Sequence, residues 1–246
     1  MNPLRIFIGY DKREQTAFSV LAHSLLRRAT APIAITPLSL QHLTGFYKRE
    51  RGSLESTDFS ISRFLVPYLS GYQGHSIFMD CDMLCLTDIT TLWGDLPMAR
   101  AAVSVCQHDY TPKSDVKMDG RVQTAYPRKN WSSFMVFDNS LCRMLTPDYV
   151  ETASGLDLHR FNWLKNEYPI GSLPLEWNWL IGEYPINPNA KMLHYTLGGP
   201  WFPQYRECDE ADKWKAEYRD MAGQDYYLTQ VWEQPKTAGI PPKVKK

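Results

Sequence analysis

No apolar run in the 246-residue chain approaches the length of a membrane span, so the sequence predicts no transmembrane helix. It has no surplus of charge. The 27 Lys and Arg balance 27 Asp and Glu, which excludes the basic excess expected of a nucleic-acid partner. The opening residues Met1-Asn2-Pro3-Leu4-Arg5 lack the basic head and apolar stretch of a secretory leader. Cysteine is sparse and odd in number: Cys81, Cys85, Cys106, Cys142 and Cys208, two of them inside apolar runs. Cys81 and Cys85 have no second pair with which to close a zinc site. Reduced, buried thiols and a cytoplasmic setting are therefore expected. Internal repeats and a dividing linker are also missing. We expect one domain over residues 1–233 and a flexible basic tail over 234–246. The tail's Lys243, Lys245 and Lys246 suit a weak peripheral attraction to the anionic inner face of a membrane.

Aromatic residues, by contrast, are plentiful: 13% of the chain, with 8 Trp. Most belong in a core, and some suit stacking on bases and sugars. The stretch that organises the chain is His75-Ser76-Ile77-Phe78-Met79-Asp80-Cys81-Asp82-Met83-Leu84-Cys85-Leu86. It is an apolar run broken by two carboxylates flanking one residue. Burying charge beside a core is costly unless a metal or dense hydrogen bonding offsets it. With 16 Asp in the chain, about one Asp-x-Asp arises by chance, so the triplet alone does not separate a metal site from a solvated turn.

Leu4 to Tyr10 reads as a buried first strand. Phe18, Leu21, Ala22, Leu25, Leu26 and Ala29 then mark one face of a helix. Asp11 and Glu14 have capping-box spacing. Asp11 is thus a helix cap, a contact to base or ribose at the strand end, or both. Ile33 to Leu40 reads as a peripheral strand because of its prolines. The charge run Lys48 to Gly52 reads as a solvated loop. A helix carrying Ile61, Phe64, Leu65, Tyr68 and Leu69 is expected to kink at Pro67. Arg63 on it is either a surface charge or a group reaching the cleft. Further elements are a short helix from Asp88 to Trp93 ended by Gly94 and strands over 101–106 and 132–137. A long loop lies over 108–129. A helix starts at Leu145, a strand covers 191–195, and a helical stripe runs through Ala211, Trp214, Tyr218 and Met221. Strands alternating with helices predict an α/β sandwich with a mostly parallel central sheet.

Three pieces in order resemble the core of glycosyltransferase family 8: Ser62 to Leu69 with Arg63, Ile77 to Leu84 with Asp80-Cys81-Asp82, and Asp88 to Trp93. They imply a GT-A-like α/β/α sandwich with a Rossmann-like nucleotide-binding half. They also imply a retaining, Mn²⁺- or Mg²⁺-dependent transfer of a hexose from a nucleotide sugar, UDP-linked, to a glycan or lipid-linked saccharide acceptor in polysaccharide biosynthesis. By the same resemblance Asp80, Asp82 and His194 are the metal ligands. Tyr10, Asp11, Arg63, Asp80, Cys81, Asn178, Gly198 and Trp201 contact the nucleotide sugar. The family's His-x-x-Gly-x-x-Lys-Pro-Trp stretch reads here His194 to Trp201, one residue shorter and without the lysine. Backbone N–H groups at Gly198 and Gly199 are the expected substitute. The family's Phe-Asn-x-Gly strand becomes Trp131-Ser132-Ser133-Phe134, and its Asp-Gln pair becomes Asp157-Leu158. The chain looks like a divergent relative of that family.

Two carboxylates and an imidazole are a donor set that Mn²⁺ accepts. Apart from the resemblance, His194 also reads as a satisfied core histidine. Asp157 is the candidate catalytic carboxylate with Asp138 as runner-up, and Asp157 reads equally as a helix N-cap. Glu176-Trp177-Asn178-Trp179 suits either sugar contact or an aromatic core corner. Two other functions stay open. One is a non-catalytic protein that binds a nucleotide sugar. The other is a nucleotidyltransferase of related fold, for which the single glycine of Gly9-Tyr10-Asp11-Lys12-Arg13 is a poor match.

Overall fold

A computed structural model describes residues 2–52, 55–110, 116–117, 121–122 and 128–223. The expected tail at 234–246 and most of the loop over 108–129 lie outside them. The central sheet has six strands: β1 (Leu4–Gly9), β2 (Ile33–Leu38), β3 (His75–Met79), β5 (Val103–Cys106), β8 (Phe134–Asp138) and β9 (Ile170–Leu173). Their order is β2-β1-β3-β8-β5-β9. Three of the five pairings are parallel, and β8 runs antiparallel to both its neighbours. A second sheet orders β10 (Trp179–Leu180), β11 (Met192–His194) and β4 (Met83–Cys85). The two-residue strands β6 (Val116–Lys117) and β7 (Arg121–Val122) pair with each other.

Ile6, Ile8, Ile77, Phe78, Phe134 and Phe137 are fully buried and join one core, each contributing about 1.5–3 kcal/mol of burial. The near-continuous apolar reading of β1 and β3 follows from cover on both faces. Helix α1 (Gln15–Arg28) buries Ala17, Val20, Leu21, Ser24 and Leu25. That stripe is rotated from the expected one, and Leu26 stands 61% exposed. The cause is a second packing surface. Val20 turns into a separate cluster with Leu84, Leu193, Tyr195 and Trp214, beneath the small sheet and α5 (Ala211–Met221). The helix expected around Pro67 is instead a 3-10 segment, Ser62–Leu65, followed by one α-turn, α2 (Val66–Leu69). Pro67 falls in the first turn of α2, where a missing N–H breaks no helical bond, so no kink arises. Asp88 caps a 3-10 helix, Ile89–Asp95, that runs through Gly94 rather than ending there. Thr146 caps α3 (Pro147–Thr152) and Ser154 caps α4 (Gly155–His159). No helix of the described residues is long and apolar enough to cross a membrane. All five cysteines are free thiols, four of them buried.

Candidate metal centre

Asp80 and Asp82 stand where the chain leaves the large sheet and enters the small one. Asp80 follows β3, and Asp82 precedes β4. The antiparallel register of β4 and β11 sets His194 opposite Met83. The Tyr195 N–H donates to the Asp82 carbonyl at 2.9 Å, which closes this corner. One donor atom from each of Asp80, Asp82 and His194 lies within 4.8 Å of the others. His194 Nε2 is 3.3 Å from Asp82 Oδ1. The two carboxylates keep 15% and 13% of their side-chain surface and the imidazole 2%, so the group opens to solvent on its acidic side. Two carboxylates and one imidazole around a single point fit Mn²⁺ or Mg²⁺ with positions left for phosphate oxygens. A second cluster, His23, Glu217 and Asp220, does not suit a cation. Arg28 Nη2 already holds Glu217 at 2.7 Å, and Arg27 pairs with Asp220.

Arg63 is buried and belongs to the site. Its Nη1 donates to the Ser132 carbonyl at 2.8 Å and forms an ion pair with Asp80 Oδ1 at 2.8 Å. Its guanidinium lies 5.4 Å and 4.9 Å from the ring centres of Phe59 and Phe78. The Asp80 N–H donates to the Ser133 carbonyl at 2.9 Å. Asp80 is thus held through both its side chain and its backbone.

Asp11 meets the capping expectation. Its carboxylate accepts from the Arg13 N–H and guanidinium and from the Asp58 N–H, and its surface is 1% exposed. Glu14 does not complete the capping box, because its side chain turns inward beside Cys81, whose Sγ lies 3.8 Å away. Burial, then the charges of Asp82, Asp11 and Asp80, raises the Glu14 carboxyl well above its ordinary range. This third acid beneath the Asp-x-Asp went unread in the sequence, where its spacing from Asp11 had a local explanation.

Cys81 is fully buried with its thiol toward Glu14, so this conformation offers it no ligand contact. Asn178 is likewise fully buried and bonds Ser133, Asn130 and His194 rather than facing a sugar. The Gly198 N–H donates to the Tyr195 carbonyl at 2.8 Å, which removes it as a substitute for the missing lysine. Gly198 itself is required: its φ is +126°, and a Cβ there would meet the Tyr205 ring at 2.6 Å. Trp201 is half-buried and packs on Tyr195 and Trp214 in the second core cluster. Tyr10 is half-buried at the end of β1, edge-on to Phe18.

Asp157 is exposed in the first turn of α4. It accepts from Ser154 Oγ at 2.7 Å and from Asn162 Nδ2 at 2.9 Å, and these bonds lower its pKa. Ser154, not Asp157, is the N-cap. Asp138 is excluded as a partner of the metal group. It pairs with His75 at the start of β3, about 16 Å along the strand from Asp80, and bonds Arg100 and Ser140. The sequence also gave no hint of His108, just past β5. Burial, aided by His194, lowers its pKa to about 3, and its Nδ1 lies 2.9 Å from the Tyr184 hydroxyl.

Protein CDI of Arabidopsis thaliana is 48% identical to the chain over 227 residues, 89% of this chain and 87% of that protein. The chain belongs to the Protein CDI family. No protein-family model matches it. Among solved structures, the apo form of the bifunctional glycosyltransferase WbbM superposes with a TM-score of 0.60 at 16% identity, covering 90% of this chain. The chain spans 51% of that structure's length. The galactosyltransferase LgtC, in complex with donor and acceptor sugar analogues, superposes at 0.53 with 13% identity, covering 88% of this chain and 96% of LgtC. This member of the CDI family therefore has the GT-A-like glycosyltransferase fold, with Asp80, Asp82 and His194 gathered at the junction of its two sheets.

Proposed function

We propose that the chain is a metal-dependent glycosyltransferase. The observation that carries this reading is the convergence of Asp80, Asp82 and His194 within 4.8 Å. The glycosyltransferase fold of the structural neighbours supports it. In this reading the three residues hold Mn²⁺ or Mg²⁺ and receive the diphosphate of a UDP-linked hexose. The bound cation would supply charge stabilisation to the departing diphosphate. Arg63 fixes the Asp80 carboxylate, and Tyr10 at the end of β1 is the ring available to the base. The hexose passes to a glycan or lipid-linked saccharide with retention of configuration, as the family 8 resemblance implies. Asp157 is the candidate nucleophile. Asp157→Asn should abolish turnover and keep UDP affinity, and retained turnover would remove it from that role.

Calorimetry with UDP, with and without Mn²⁺, tests the reading, followed by a panel of UDP-hexoses scored for hydrolysis and transfer. Metal-dependent UDP binding that is lost in Asp80→Asn/Asp82→Asn is the expected result. Binding that ignores the metal, or no binding, would overturn it. One observation favours a non-catalytic alternative. The Gly198 N–H, one of the two backbone groups expected to stand in for the family 8 lysine, is bonded within its own turn, which takes away one diphosphate contact. UDP binding without turnover on any donor would select that alternative.

A further inference from the structure

The amide of Asn178 has only one orientation open to it. The residue is fully buried. Its Nδ2 donates to Ser133 Oγ at 2.8 Å and to the Asn130 carbonyl at 3.3 Å. A carbonyl only accepts, and the Ser133 hydroxyl already donates its hydrogen to that same carbonyl at 2.6 Å. Both groups therefore face Asn178 as acceptors. The reversed amide would set an oxygen against two oxygens. Asn178 Oδ1 must consequently point the other way, to His194 Nδ1 at 2.8 Å. An amide oxygen accepts, so Nδ1 carries the hydrogen. In the neutral ring the lone pair is then on Nε2, the nitrogen that faces Asp82 Oδ1 at 3.3 Å.

We propose that Asn178 is a positioning residue that locks His194 in the Nδ1–H tautomer and so presents Nε2 as a metal ligand. What Nε2 binds rests on the metal reading above, whereas the tautomer does not. The same short turn that locks Asn178 also holds the opposite side of the centre. The Ser133 carbonyl accepts from the Asp80 N–H, and the Ser132 carbonyl accepts from Arg63, which grips Asp80. Residues 130–133 thus tie one ligand through backbone and the other through a buried amide. A partner that orients a ligating histidine typically contributes about 10- to 100-fold in metal affinity.

The test uses the full chain. Nitrogen-15 NMR of the metal-free protein, labelled at histidine and recorded at about pH 8, reads directly which nitrogen of His194 carries hydrogen. A main Nδ1–H form is expected, against the Nε2–H form that free histidine prefers. Mn²⁺ affinity is then measured by calorimetry for the wild type, Asn178→Leu and Ser133→Ala. A loss of at least about tenfold is expected in Asn178→Leu and a smaller loss in Ser133→Ala. In Asn178→Leu the His194 signals should move toward the Nε2–H form. An Nε2–H form in the wild type overturns the proposal whatever the variants do. So does an Asn178→Leu protein that keeps both Mn²⁺ affinity within about twofold and the Nδ1–H signals. If Asn178→Leu does not fold, the wild-type tautomer and Ser133→Ala decide. A wild type with the expected tautomer that binds no divalent cation sinks the metal reading and leaves the positioning of His194 standing.

Discussion

Replacing Arg63 with methionine isolates what holds Asp80 in place. Methionine keeps much of the apolar volume between Phe59 and Phe78 and removes the guanidinium. Four interactions go with it: the 2.8 Å pair with Asp80, the bonds to the Ser132 carbonyl at 2.8 Å and to the Phe59 carbonyl at 3.4 Å, and the approach to two aromatic rings. Removing one partner of a buried ion pair costs about 3–5 kcal/mol, because the other charge is left uncompensated. Asp80 keeps 15% of its side-chain surface, which places the expected loss near the lower end, about 3 kcal/mol. Most of that should come from the stranded carboxylate. In an Asp80→Asn background the same Arg63→Met change should therefore cost only about 1 kcal/mol, the net worth of the remaining hydrogen bonds and ring contacts. The two backgrounds define a coupling of about 2 kcal/mol. Urea unfolding of the metal-free protein, followed by the fluorescence of its 8 tryptophans, measures it. A coupling below about 0.5 kcal/mol would show that Arg63 and Asp80 act independently, and the account of the pair would fail.

Glu14→Gln bears on pH. The folded chain keeps a proton on Glu14 that the unfolded chain releases above 4.5. That contribution to stability is complete at low pH and is lost as the pH rises above 4.5 toward the raised value, so the glutamine variant should flatten that fall. A slope equal to that of the wild type would refute the assignment. Asp11 has the opposite sign. Burial opposes its charge, but the bonds to Arg13 and Asp58 outweigh it and lower its pKa. Its stabilisation should fade as the pH falls below 3.8, and Asp11→Asn should remove part of the acid-side loss seen by circular dichroism. Gly198→Ala should lose about 2 kcal/mol, since φ of +126° is strained for alanine and its methyl meets Tyr205. An unchanged melting temperature would mean that the turn relaxes freely.

Five of the six strands of the central sheet were legible because their apolar runs are short and bounded, and Asp80 and Asp82 interrupt one of them visibly; β9 was not, because Gly171 and the exposed Ser172 break its apolar run. The helix around Pro67 was not legible in the same way. Apolar residues three apart satisfy a 3-10 helix as well as an α-helix, so Ile61, Phe64 and Leu65 do not tell the two apart. The buried face of α1 was misjudged by one step because its second neighbour, α5, lies nearly two hundred residues away in sequence, as the His23–Glu217 contact shows. Asn178 and Glu14 mark the limit of local reading. Each has an ordinary neighbourhood explanation, an aromatic corner for one and a capping box for the other. Their observed contacts are with residues far off in the chain, 16 positions away at His194 and 67 at Cys81.

That limit explains why the departures from the family 8 pattern looked damaging in sequence and are structurally coherent. Trp131-Ser132-Ser133-Phe134 replaces the family's Phe-Asn-x-Gly, and in isolation two serines suggest a lost ligand contact. In the fold they form a compact bracket. The Ser132 carbonyl meets Arg63, the Ser133 carbonyl meets Asp80, and the Ser133 hydroxyl meets Asn178. A small hydroxyl suits this place because Ser133 is almost wholly buried and must accept from Asn178 while donating to Asn130. A longer amide side chain would need room that this packed turn lacks. The same bracket lies at the start of β8, whose antiparallel direction brings its first residues to the edge where β3 ends. Sheet topology, rather than any local motif, is what lets four consecutive residues reach both Asp80 and the partner of His194.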